Sequence, residues 1–120
     1  STRHFVNAET IAKMKDGVTI INCARGELMN IPDMIRGIET QKIGALALDV
    51  FDKEDGIYHE NRRDDILSNR DMAYLRQFPN VIMTQHMAFY TDAAVQSMVF
   101  CGIEGLCDFA KTGHTETELV

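Results

Sequence analysis

Cysteine is scarce in this chain. Cys23, Cys101 and Cys107 are odd in number and no two stand in a C-x-x-C spacing, so neither a disulfide framework nor a zinc site is indicated. A reducing cytoplasm is the compartment this usage fits. Cationic residues are also few, 12 Lys and Arg against 18 Asp and Glu for a net charge of −6. Nucleic acid and anionic membrane surfaces call for clustered Lys and Arg, so both are poor candidates as partners, whereas a small anion needs only one well-placed cation. No apolar run approaches the roughly 20 residues of a membrane span, and the amino terminus lacks the pattern of a signal peptide. There is no initiator methionine, and Asn7 reads as the cap of a helix already under way, so a piece of something longer is expected. Internal repeats and low-complexity segments are absent. What remains, 120 residues at 45% hydrophobic and 25% charged, suits one globular core and is too short for two.

The order of elements follows from caps, breakers and apolar periodicity. Asn7 caps a short helix to about Lys15, with Gly17 past its end where a left-handed residue costs little. Val18 to Ala24 is β-branched and apolar almost throughout, the pattern of a strand covered on both faces in a parallel sheet. It stops at Arg25-Gly26. Asn30 and Pro32 open a second helix to about Gln41, Asn as acceptor and Pro in the first turn, where its missing N–H has no partner anyway. Gly44 to Val50 reads as the next strand, its small residues permitting close approach of a helix. Phe51 to Arg63 is polar and reads as a loop, followed by a helix over about Asp64 to Gln77 that Pro79 ends. Asn80 to His86 is the third strand. From about Thr91 a long helix follows, with Val95, Met98, Val99, Gly102, Ile103, Leu106 and Ala110 at helical spacing, a stripe expected to pack in a core, and Gly113 after its end. The tail from His114 is expected to be loose.

Alternating strands and helices are the grammar of a doubly wound α/β fold with right-handed crossovers, and three strands make half of such a sheet. These folds bind ligands at the carboxyl ends of their parallel strands. The three strands end at Arg25, at Asp49 with Glu54 five residues on, and at His86, which gathers a cation, two carboxylates and an imidazole at one edge. Each alone has an ordinary explanation as a solvated loop residue, a turn cap or a structural histidine. Together they form a usable set. Arginine can clamp a carboxylate with two parallel N–H···O bonds, histidine can exchange a proton with an oxygen near neutral pH, and a carboxylate beside it can orient the ring. Such a set suits redox or proton chemistry at the carbon next to a substrate carboxylate.

INCARGEL, LDVFDKE and NVIMTQHMAFYT, in that order, closely resemble the D-2-hydroxyacid dehydrogenases, and the stretch EDGIYHENRRDDILSNRDMAYLRQFPNV is most similar to their D-lactate dehydrogenase branch. The resemblance implies the second half of a Rossmann-like doubly wound parallel sheet plus a long C-terminal helix. Residues 1–90 would be a partial NAD-binding domain, 91–113 a helix returning toward a substrate domain, and 114–120 the loose tail. It implies Arg25 as the clamp on a 2-oxoacid carboxylate, Glu54 as the partner of the histidine, and His86 as the acid that protonates the ketone while NADH delivers hydride. Cys23, Ala24, Arg25, Asp49 and His86 would contact the nicotinamide end of the cofactor, and Phe89 would line the substrate pocket with Arg25 and His86. A homodimer formed through cofactor domains is the implied assembly. Two positions depart from the family: Gln85 stands where relatives usually have proline before the histidine, which loosens the strand exit, and Asn30 replaces a usual aspartate, a neutral change since either caps a helix.

No G-x-G-x-x-G turn, which would grip a pyrophosphate at a helix amino terminus, occurs in the chain, and the family carries it upstream of the matching region. The chain by itself is therefore expected to bind NAD weakly and to be inactive. His4, His59 and His114 lack the spacing of a metal pair, and surface positions are expected for them. Tyr58 to Arg63 is expected to be a solvated excursion. The leading expectation is reduction of pyruvate to D-lactate. A larger 2-oxoacid such as 2-oxoisocaproate or an aromatic one is the near alternative, and a non-catalytic nucleotide-sensing or corepressor-like module is the alternative of another class, since a fold does not fix function. An unrelated signalling half-sheet would want an acidic cluster at the first strand end, where this chain has Arg25.

Overall fold

In a computed structural model the described residues are 2–52 and 69–116. Three parallel strands, β1 (Val18–Asn22), β2 (Ile43–Leu48) and β3 (Val81–Met83), lie in the order β1-β2-β3. Helix α1 (Ala8–Ala12) precedes β1, α2 (Ile31–Glu39) joins β1 to β2, α3 (Arg70–Leu75) precedes β3, and α4 (Asp92–Thr112) follows it. Residues 1–87 and 88–120 separate into two compact units.

The caps read from the sequence are formed. The Asn7 side chain accepts from the amides of Glu9 and Thr10, and Thr10 Oγ1 accepts from the Asn7 amide in a reciprocal box. Asn30 Oδ1 accepts from the Asp33 amide at 3.2 Å with Pro32 in the first turn. Gly17 takes φ +73° between α1 and β1. All three strands end earlier than their apolar runs suggest, at Asn22, Leu48 and Met83 rather than Ala24, Val50 and His86. At β1 the reason is local: the Asn22 side chain bonds to the Ala24 amide and the Arg25 carbonyl and turns the chain out of the sheet; at the other two exits the Asp49 and Thr84 side chains bond across to each other.

The core of the first unit lies on one face of the sheet, where Met34 and Ile38 of α2 and Met72 and Leu75 of α3 bury against Ile43, Leu46 and Leu48 of β2. Gly37 of α2 stands directly over Ile43. The reading of β1 as covered on both faces is corrected here. Ile20 is partly buried, but Ile21 is 68% exposed and its register partners lead across Ala47 to Ile82, 65% exposed. An apolar run indicates that both faces are compatible with burial, and among the described residues helices cover one.

Only the part of the third helix over Arg70–Leu75 is described. Asn69 caps it through the Met72 amide at 3.0 Å, while the expected stretch from Asp64 to Ser68 lies outside the described residues, as do Tyr58 to Arg63 of the expected loop.

The second unit is α4, capped by Thr91 and ended by Gly113 at φ +76°. The expected burial of its apolar stripe is not met: none of its residues is buried, and Met98, Val99, Ile103 and Leu106 are exposed. Periodicity reports a helix that has an apolar face without reporting what covers it. By length and composition α4 also reaches the minimum for a bilayer span, a correction to the reading of the sequence by uninterrupted runs, which Glu104 and Asp108 break.

Candidate functional site

Because the three strands are parallel, their exits share one edge of the sheet, and main-chain hydrogen bonds continue past the strands to tie those exits together. The Asp49 amide donates to Asn22 O at 2.9 Å, the Thr84 amide to Leu48 O at 2.9 Å, and the His86 amide to Asp49 O at 2.7 Å. The exit of β2 is thus held between the other two.

At the β1 exit, Asn22 is buried, 6% exposed. Its Oδ1 accepts from the Ala24 amide at 3.0 Å and its Nδ2 donates to Arg25 O at 2.9 Å. One amide side chain thereby satisfies both ends of a short turn, the local alternative to continuing the ladder. Cys23, Ala24 and Arg25 are all exposed. The Arg25 guanidinium donates to Ala24 O at 2.8 Å, and no carboxylate among the described residues pairs with it. Next to it, Gly26 is buried against the backbone of Phe51 and Asp52, so the β1 and β2 exits touch at a residue with no side chain.

At the β2 exit, Asp49 is 4% exposed. Its Oδ1 accepts from the Met87 amide at 2.8 Å and from the Thr84 hydroxyl, so a buried carboxylate is satisfied by groups of the β3 exit. His86 is half-buried and has φ +54°, a left-handed conformation that is uncommon for a residue with a side chain. Glu54 lies outside the described residues, two positions beyond Asp52. Phe89 belongs to the second unit, is 46% exposed and stacks edge-on with Tyr90. Of the other histidines, His114 is exposed, His4 is half-buried with φ +54° and its amide bonded to Glu27 O, and His59 is outside the described residues.

Of the residues named from the sequence, Arg25, Asp49 and His86 with Cys23 and Ala24 are on segments that adjoin at one edge. Asn22, Gly26 and Thr84 were not singled out, yet they hold that edge together. Asn22 had a signal: an amide near the end of an otherwise apolar run is too costly to bury without a bonding task. Replacing it with leucine is expected to destabilise the fold by about 1–3 kcal/mol, because the Ala24 amide and Arg25 carbonyl lose their partner. Thermal unfolding together with amide exchange at Ala24 checks this.

The residues fit a nicotinamide group in one respect the chain can show: the exposed turn Cys23 to Arg25, the buried carboxylate of Asp49 and the half-buried imidazole of His86 adjoin at the edge where such sheets receive ligands. The pyrophosphate turn is not among these 120 residues.

Comparison with known proteins agrees with that geometry. Residues 1–88 match the family model described as D-isomer specific 2-hydroxyacid dehydrogenase, NAD binding domain. An aromatic 2-oxoacid reductase of Clostridium sporogenes is 42% identical over 117 residues, 98% of this chain and 35% of that protein. A D-lactate dehydrogenase of Lactiplantibacillus plantarum is 34% identical over 116 residues, 97% of this chain and 35% of that protein. Among solved structures, a D-lactate dehydrogenase from a Sporolactobacillus species superposes with a TM-score of 0.94 at 30% identity, over 98% of this chain and 36% of that one. A D-lactate dehydrogenase from Lactobacillus jensenii, solved with NAD+, gives 0.89 at 29% identity, over 99% and 36%. The chain therefore spans about a third of the length of the relatives it matches. It belongs to the D-isomer specific 2-hydroxyacid dehydrogenase family, as part of the family's NAD-binding domain.

Proposed function

We propose that this chain supplies the reaction edge of an NAD-dependent D-2-hydroxyacid dehydrogenase that reduces a small 2-oxoacid, pyruvate to D-lactate being the leading case. The observation that supports it is the tie across the three strand exits, Asn22 to Asp49 to His86, which sets a cation-bearing turn, a buried carboxylate and an imidazole side by side.

In this reading Arg25 binds the substrate carboxylate through its two-pronged guanidinium, fixing both the position and the plane of the 2-oxoacid. His86 donates a proton to the ketone oxygen, and Glu54 favours and orients the imidazolium. Asp49, with the turn at Cys23 and Ala24, borders the nicotinamide. The cofactor, when bound as NADH, supplies the hydride. The chain alone lacks the pyrophosphate turn and is inactive; the full-length protein that carries it is active.

A second substrate class has its own support, since the Clostridium sporogenes relative at 42% identity is an aromatic 2-oxoacid reductase. Steady-state NADH oxidation by the full-length protein with pyruvate, 2-oxoisocaproate and phenylpyruvate separates the cases. The expected result is turnover with the highest kcat/KM on pyruvate; a preference for phenylpyruvate transfers the assignment to the aromatic class. NADH binding without turnover on any of the three overturns the enzymatic reading in favour of a nucleotide-sensing module.

A further inference from the structure

His86 has a problem that its neighbours solve. Its backbone is left-handed at φ +54°, a state that is unfavourable for a residue with a side chain and persists when surrounding bonds determine it. The residue before it is Gln85 rather than a proline, so no ring limits the conformation of Thr84 or of the turn. Nor does the Gln85 amide hold the chain, since it has no hydrogen-bond partner among the described residues. The described residues show instead a set of bonds to one residue of the neighbouring exit. Asp49 O accepts from the His86 amide at 2.7 Å, and Asp49 Oδ1 accepts from the Met87 amide at 2.8 Å, so a single buried residue grips both amides of the turn. The Thr84 hydroxyl donates to that same Oδ1 from the other side of the turn.

We infer that Thr84 is a positioning residue for the reaction: its hydroxyl fixes the Asp49 carboxylate, and that carboxylate pins the Met87 amide and so closes, from the far side, the left-handed turn at His86 whose own amide is held by Asp49 O. This rests on the assignment of His86 as the proton donor. The side-chain clamp does in this chain what a proline before the histidine would do through the backbone. Two consequences follow. Removing the hydroxyl loosens the turn, and restricting residue 85 compensates for the loss, because an X-Pro bond holds Thr84 extended and fixes φ of residue 85 without sacrificing a hydrogen bond.

The test uses the full-length protein and four variants, Thr84→Val, Thr84→Ser, Gln85→Pro and the double variant Thr84→Val with Gln85→Pro. Four quantities are read: kcat and KM for the 2-oxoacid, NADH affinity by fluorescence, and amide exchange at His86 and Met87. Thr84→Val is expected to lower kcat about tenfold, within the loss that a small misplacement of a reacting group can cause, with KM and NADH affinity within about twofold. Exchange at Met87 is expected to accelerate by a similar factor. Serine restores both quantities, and the double variant recovers most of the lost kcat, so the two substitutions are non-additive. Unchanged kcat and exchange in Thr84→Val overturn the inference. So does a fall in kcat that serine does not restore, or one without faster exchange, since the hydroxyl would then act elsewhere. If the protein reduces no 2-oxoacid but exchange responds as described, the clamp stands and the enzymatic reading falls.

Discussion

On the proposed assignment, His86→Gln in the full-length protein is expected to lower kcat for 2-oxoacid reduction by about 10²–10⁴-fold, the span over which a positioned general acid contributes, with NADH binding retained. Glutamine keeps a side chain of similar reach and can donate a hydrogen bond to the ketone, but it cannot deliver a proton as the alkoxide forms. The loss is therefore confined to the chemical step, and KM for the substrate changes little. Arg25→Gln behaves differently. In the proposed role it replaces a charge-assisted pair of bonds to the substrate carboxylate by at most one neutral bond, a net loss of about one hydrogen bond to a charged group, about 1.5–3 kcal/mol, so KM is expected to rise by roughly one to two orders of magnitude as well. No carboxylate among the described residues pairs with the guanidinium and it contacts only Ala24 O in its own turn, so the substitution breaks no ion pair there that would blur the comparison. Equal losses of kcat in both variants with unchanged KM would contradict the assignment of Arg25 as the clamp.

How much of this was legible in the sequence depends on the kind of interaction. The alternation of elements, the caps at Asn7, Asn30 and Thr91, and the left-handed Gly17 and Gly113 are local events, and local residues specify them. The convergence of Arg25, Asp49 and His86 was legible because parallel strands leave no choice about which edge their ends share. The strand ends were read too late, since apolar residues continue past the sheet ladder, at β1 past the point where the Asn22 side chain diverts the chain. The left-handed turn at His86 was not legible at all: it depends on bonds to Asp49, 37 positions earlier in sequence, and histidine has no backbone signature for it. Burial was the least accessible quantity. The apolar residues Ile21, Ile82 and Leu106 follow sheet and helix periodicity as faithfully as Leu46 or Met34, and only the arrangement of elements separates covered faces from exposed ones.

Gly26→Ala is the substitution expected to do most damage without touching a reacting group. A methyl group at residue 26 would fall inside the backbone of Phe51 and Asp52, which cannot swing aside as a flexible side chain would. The two exits must therefore move apart, at a cost of about 1–3 kcal/mol or more for an overpacked contact. The same displacement carries Arg25 on one side and the chain leading from Asp52 toward Glu54 on the other, so kcat/KM is expected to fall on the order of 10²-fold. Stability loss alone could imitate a kinetic defect, and a second glycine separates the two. An alanine Cβ at residue 44 would lie 2.6 Å from Gly17 O, against 2.2 Å from Phe51 C at residue 26, so it too meets backbone, at the opposite edge of the sheet, where the strands begin. Gly44→Ala should lower the thermal unfolding midpoint comparably and leave KM and kcat of the folded enzyme within about twofold, because the strain it introduces lies a strand length from the exits. If Gly26→Ala and Gly44→Ala affect catalysis equally, the contact at Gly26 serves the fold and not the site. If only Gly26→Ala does, the absence of a side chain after Arg25 is what allows the clamp and the β2 exit to share one edge.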